Sequence, residues 1–210
     1  MAPARDDTRI RQLQQSPYTN GDLWTLSYDK TTRYVKCIKP LGKGGVGQVF
    51  LCQDVELNNR KSVASQKSGE LFAMKVVTDS QYFEGILDGF RTMRGVKHKC
   101  ISEVHFAYLY ESITTNVLFV QMPYYPLGDL KQLVTAKSRK KPFPQHFIVE
   151  VGRSMFQALK HLNGANKMHR DISANNFMVE SYDDEHDIIN VHLSDFDTVR
   201  VVENTGMFSM

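Results

Sequence analysis

The chain has 210 residues, with 26 Lys and Arg against 23 Asp and Glu for a formal charge of +3. At about 150 residues per domain this makes one to two domains, enough to bury a core and too much for a disulfide-stapled miniprotein. Hydrophobic residues at 41% and charged residues at 23% exclude wholesale disorder and repeat-type composition, and the near-neutral balance gives no overall pull toward nucleic acid or membrane.

Residues 1–30 are polar and carry Pro3, Pro17 and an Asn20-Gly21 turn signal. They read as an extension with no core of its own, with Leu23, Trp24 and Leu26 available to pack onto the domain. Arg5, Asp6 and Asp7 come straight after the first residues, so no signal peptide is expected. Strand-like runs rich in β-branched and aromatic residues come next, at 34–41, 47–53, 70–77, 104–110 and 117–122. Residues 58–69, full of Asn, Lys, Ser and Gln, read as a solvated loop. Between the third and fourth runs, Phe83, Ile86, Phe90, Met93 and Val96 recur on one helical face, which Gly85, Gly89 and Gly95 weaken by about 1 kcal/mol each. The uncharged stretch 112–128 holds two Pro and two Tyr and would make a poor membrane span. A strong amphipathic helix is predicted over 147–162, with Ile148, Val151, Met155, Leu159 and Leu162 facing inward, and short strands at 177–179 and 188–193. A β-rich half and then a helix-rich half predict two lobes, divided near 123–128. Cys37, Cys52 and Cys100 are odd in number and far apart, as expected of free thiols in a reducing compartment: the cytoplasm, or the nucleus.

Four segments carry chemistry. Gly42-Lys43-Gly44-Gly45-Val46-Gly47 has the Gly-x-Gly-x-x-Gly spacing, and bare glycine backbone can approach phosphates closely. A dinucleotide-binding loop of that spacing opens a helix, whereas here Gln48-Val49-Phe50-Leu51 continues as a strand, which argues for a hairpin flap. Lys75 sits in the apolar run Phe72-Ala73-Met74-Lys75-Val76, where a charge is costly to bury unless paired. Alternation puts it on the face of Ala73, which leaves room for a flat ring. Asp171 and Asn176 lie in His169-Arg170-Asp171-Ile172-Ser173-Ala174-Asn175-Asn176, and Asp195 in Ser194-Asp195-Phe196-Asp197. Two carboxylates and an amide suit hard cations and phosphates.

In this order the segments resemble the eukaryotic protein kinase family, over about residues 34–208. The resemblance implies an α+β, two-lobed protein-kinase-like fold, with an N-terminal extension at 1–30, a small lobe at 31–122, a hinge at 123–128 and the first part of the large lobe at 129–210. It implies ATP and Mg²⁺ as cofactors and a protein Ser/Thr substrate. Leu41, Gly42, Gly44, Gly47 and Val49 would cover the nucleotide, Val49 and Ala73 sandwiching its base. Lys75 would hold the α- and β-phosphates, Met122 and Tyr124 would border the adenine, and Asp129 would reach the ribose. Asp171 would be the catalytic base, Asn176 and Asp195 the metal ligands. The same resemblance makes His169 a structural brace.

Departures from the family pattern accompany it. Gly89 falls where the family has the helix glutamate that pairs the strand lysine, with Asp88 and Glu84 nearest; Asp197 replaces a glycine; Ser173 replaces a lysine. The chain stops at Met210, short of the family's remaining helices, so an incomplete domain is expected. The alternatives are a pseudokinase acting as a nucleotide-binding scaffold or allosteric partner, and a small-molecule kinase of the same architecture. No nucleic-acid or membrane partner is expected, and no regulatory partner can be named. The basic run 137–141 and the acidic run 183–187 read as solvated loops. Thr205 and Ser209 lie where activation loops are phosphorylated.

Overall fold

Apolar residues alternating along successive strands build one curled sheet in the first half of the chain. The computed structural model describes residues 9–17, 22–57, 64–65, 69–138, 143–183 and 188–202. They divide into two units, Met1–Glu84 with Val104–Tyr124, and Gly85–Glu103 with Tyr125–Met210. The runs 58–63, 139–142, 184–187 and 203–210, with Thr205 and Ser209, lie outside the described residues.

The first unit holds β1 (Ile10–Gln12), β2 (Leu23–Tyr28), β3 (Thr31–Lys43), β4 (Gln48–Leu57), β5 (Ala64–Ser65), β6 (Leu71–Val77), β7 (Phe106–Glu111) and β8 (Asn116–Pro123). Their order is β1-β7-β8-β6-β4-β3-β2, with β5 on β4. Only β1 on β7 is a parallel pair among the described strands. The segment after β1 joins the two edges: the Leu13 amide donates to the Leu109 carbonyl (2.7 Å) and the Gln14 amide to the Ser27 carbonyl on β2 (2.8 Å). The Gln15 amide nitrogen donates to the Ser27 hydroxyl (2.8 Å), and Arg11 pairs with Asp29 (3.1 Å). These bonds satisfy part of the open hydrogen-bonding rows that an isolated sheet would expose.

The N-terminal segment packs into this core, and Trp24 and Leu26 bury against the domain as their apolar character led one to expect. Leu13, Trp24 and Leu26 are buried with Val35, Cys52, Phe72, Met74, Tyr108, Val117 and Phe119 on one face of the sheet. Trp24 meets Phe50 edge-on at 5.5 Å and Phe119 at 5.2 Å. At the rim of this core Arg33 binds Asp54 through Nε (2.5 Å) and Nη2 (2.8 Å), donates to Tyr108 and Gln121, and lies over the Phe72 ring. Burial opposes its charge, but Asp54 and Tyr108 more than offset it and raise the guanidinium pKa.

The second unit contains α1 (Phe83–Thr92) from Gly85 onward, α2 (Leu130–Ser138), α3 (Gln145–Gly164), β9 (Lys167–Met168), β10 (Phe177–Asp183), β11 (Ile188–Leu193) and β12 (Arg200–Val201). β10 and β11 form an antiparallel hairpin, and β9 pairs with β12. The Leu193 amide donates to Cys100 (2.9 Å) and its carbonyl accepts from Ser102 (2.8 Å), tying the segment after α1 to β11. In α3 the buried residues are Phe147, Val151, Ala158 and Leu162. Ile148, predicted to face inward, is 63% exposed. The inward stripe starts one residue earlier because Phe147 stacks on Phe143 (4.3 Å) and meets Tyr182 edge-on (5.6 Å).

Candidate active site

Within the second unit, backbone and side-chain hydrogen bonds knit Asp171, Asn176 and the 194–198 segment into one cluster. Asn176 lies in a 3₁₀ turn, Ala174–Asn176, and is buried. Its Nδ2 donates to the Asp171 carbonyl and to Asp171 Oδ2, both at 2.9 Å. That use of the amide nitrogen leaves the amide oxygen as a hard-cation ligand. The Ser194 amide donates to the Asn176 carbonyl (2.7 Å), so Asp195 begins immediately beside the Asp171–Asn176 loop. Asp195 and Arg170 adopt left-handed backbone, φ 61° and 69°, which non-glycine residues hold only where surroundings enforce it.

The enforcement comes from His169 and Thr198. His169 is 2% exposed, and its Nε2 contacts the Ser194 carbonyl at 3.1 Å. A carbonyl only accepts, so Nε2 carries the proton; Nδ1 then accepts from the Asp171 amide (3.4 Å). Burial pushes the imidazole pKa down, against the opposing pull of the Ser194 carbonyl and the Asp195 and Asp171 charges. Its ring meets Phe196 edge-on at 5.7 Å. The Thr198 hydroxyl donates to the His169 carbonyl (2.7 Å), and Arg170 Nε donates to the Thr198 carbonyl (2.6 Å). Thr198 has no signal in the sequence: a lone threonine after an acidic tripeptide carries no motif.

In the first unit, register places the predicted nucleotide-facing residues on one face. Val49, Lys75 and Val120 are neighbours across β4, β6 and β8, and Leu51, Ala73 and Met122 form the next row. This face is opposite the Trp24 core, as a period of two requires. The glycine segment is a strand-to-strand hairpin, closed by the Gly44 amide on the Gly47 carbonyl (2.9 Å). Gly47 is dictated by close approach: a β-carbon there would lie 2.5 Å from the Val76 carbonyl oxygen. Leu41 is 37% exposed beside this hairpin, and Gly42 has open space around it. Tyr124 is half-buried just after β8. In the second unit Asp129, expected to reach a ribose, accepts from the Gln132 amide (2.8 Å) as the cap of α2.

Comparison with known proteins identifies the class. The protein kinase domain family matches residues 35–210, and the chain belongs to that family. It is similar to the serine/threonine-protein kinase fray1 of Dictyostelium discoideum, 26% identical over 83% of this chain and 27% of that protein. It is likewise similar to the mitogen-activated protein kinase HOG1B of Wallemia ichthyophaga, 26% identical over 77% of this chain and 40% of the relative. The serine/threonine-protein kinase ppk11 of Schizosaccharomyces pombe is 30% identical over 66% of the chain and 39% of its own length. The chain thus spans between about a quarter and two fifths of the length of these relatives.

Proposed function

We propose that this chain carries the nucleotide-binding and catalytic-loop portion of an ATP- and Mg²⁺-dependent protein serine/threonine kinase. The observation that carries the reading is the two-point hold of Asn176 on Asp171, in a loop whose next hydrogen bond leads to Ser194, the neighbour of Asp195. In this reading Asp171 accepts the proton of the substrate hydroxyl, and Asn176 keeps its carboxylate oriented during that transfer. Neutral His169 fixes the loop without competing for the proton. The Lys75 ammonium compensates phosphate charge, and the glycine hairpin offers backbone amides other than that of Gly44 to the phosphates. Asn176 and Asp195 provide oxygen ligands that suit Mg²⁺, which when bound would neutralise charge on the transferred phosphoryl group. The relatives' names support Ser/Thr as the acceptor class.

The test is γ-phosphoryl transfer by the full-length protein and its Asp171→Asn variant. Asp171→Asn is expected to abolish transfer and leave ATP binding within about twofold. Normal turnover with Asn at that position would refute the assignment. Gly89 and Asp197 favour a second reading, a nucleotide-binding pseudokinase; stabilisation by ATP and Mg²⁺ without any phosphate transfer would select it.

A further inference from the structure

Helix α1 carries two glycines one turn apart, Gly85 and Gly89, and both face the chain beyond Asp195. A β-carbon at Gly89 would lie 2.9 Å from the Phe196 carbonyl carbon and 3.3 Å from the Asp197 Cα, and would overlap the Phe196 carbonyl oxygen. At Gly85 a β-carbon would meet only an Arg200 guanidinium nitrogen, at an ordinary 3.7 Å. Arg200 donates through Nη1 to the carbonyls of Asp197 (3.3 Å) and Val199 (2.7 Å). The Val199 amide closes a turn on the Phe196 carbonyl (3.1 Å). The turn from Phe196 to Arg200 is thus held by bare helix backbone at one end and by a guanidinium at the other. Glycine weakens a helix interior, so its presence at 89 needs a compensating contact, and the close backbone approach supplies one.

We propose that Gly89 is a positioning residue for Asp195. The unclothed backbone of α1 is the seat of the Phe196 carbonyl, and that seat, together with the His169 contact to the Ser194 carbonyl, holds Asp195 in its left-handed conformation at φ 61°. Any side chain at 89 lifts the turn and swings Asp195 away from the Asn176 loop. This rests on the kinase reading for its functional consequence. It also inverts the expectation at this position, since the helix has no room for a side chain where the family resemblance led one to expect glutamate. Restoring glutamate is therefore harmful rather than helpful.

The test uses the full-length protein with Gly89→Ala, Gly89→Glu and, as a control on the same helix face, Gly85→Ala. Two quantities are read: amide hydrogen exchange of residues 194–200, and the gain in ATP affinity on adding Mg²⁺. Gly89→Ala is expected to speed exchange of the Ser194 and Val199 amides at least about tenfold while β10 and β11 stay protected. It is expected to reduce the Mg²⁺-dependent gain by about tenfold or more and leave metal-free ATP affinity within about twofold. Gly89→Glu should do the same or worse, and Gly85→Ala neither. Unchanged exchange and unchanged Mg²⁺ gain in Gly89→Ala, or raised turnover in Gly89→Glu, would overturn the proposal. Should Gly89→Ala fail to fold, Arg200→Gln loosens the same turn without touching the helix. Unaltered Val199 exchange and Mg²⁺ gain in that variant would overturn it equally. If the unmutated protein gains no ATP affinity from Mg²⁺, the kinase reading fails. The exchange contrast between Gly89→Ala and Gly85→Ala then still decides whether Gly89 seats the turn.

Discussion

Leu26→Ala tests whether the N-terminal segment is a working part of the first unit. Leu26 is fully buried, 0% exposed, on β2 between Trp24 and Tyr28, and shares its core with Val35, Phe72, Met74 and Phe119. The substitution removes three carbons, which at about 0.8 kcal/mol per buried methylene gives about 2.4 kcal/mol of lost transfer energy. The residual cavity adds to this, and the usual range for such changes is about 2–5 kcal/mol. The strand of Leu26 is paired with β3 on one side and tied to Gln14 and Pro17 on the other, so the site can collapse little, and about 3 kcal/mol is expected. The chain has a single tryptophan, Trp24, in the same core, so its fluorescence reports on this unit directly. In urea, with a slope of about 1–3 kcal/mol per molar, the midpoint should fall by about 1–3 M. A polar tail resting on the surface would respond by less than about 0.5 kcal/mol. A midpoint moved by less than about 0.3 M would therefore refute the idea that residues 10–28 complete the sheet.

Three further outcomes come from the geometry. Asn176→Ala removes both hydrogen bonds to Asp171 and one oxygen ligand, so kcat should drop by about a hundredfold or more with only a small change in metal-free ATP affinity; equal loss in both would point to a folding defect. Burial depresses the His169 and His98 pKa values, so between the unfolded value near 6.5 and the lower folded values the unfolded chain binds more protons, and stability should fall as pH drops through about 6.5. Thermal melts from pH 8 to 5 measure this, and His169→Gln should flatten part of the slope; an identical slope in that variant counts against the buried neutral imidazole. Burial, with the Cys37 thiol beside it, pushes the Cys52 thiol up to about 12. Alkylation of Cys52 by iodoacetamide at pH 8 should therefore run about a thousandfold slower in the folded protein than in urea, and comparable rates would contradict its burial.

Local signals make the candidate site elements readable. The glycine hairpin, the Lys75 strand and the Asp171–Asn176 loop each depend on residue type within a short window. Alternation with period two is enough to put Val49, Ala73 and Lys75 on a common face. The helix 147–162 is legible as a helix, and Val151 and Leu162 are buried as its period requires, but in its first turn Phe147 is buried in place of Ile148, because both are strongly apolar and only Phe143 and Tyr182 select between them.

What the order of residues determined by itself is the set of candidate groups, since a carboxylate, an amide and an ammonium at set spacings are chemical facts independent of the fold. Tertiary structure alone decided how those groups are held. The burial of Leu13 in the core of the sheet, the brace from Thr198 to His169, and the seating of the Phe196 carbonyl on Gly89 all join residues that are remote in sequence. Such contacts arise from packing, in which a missing side chain matters as much as one present, and no local pattern of residue types encodes them.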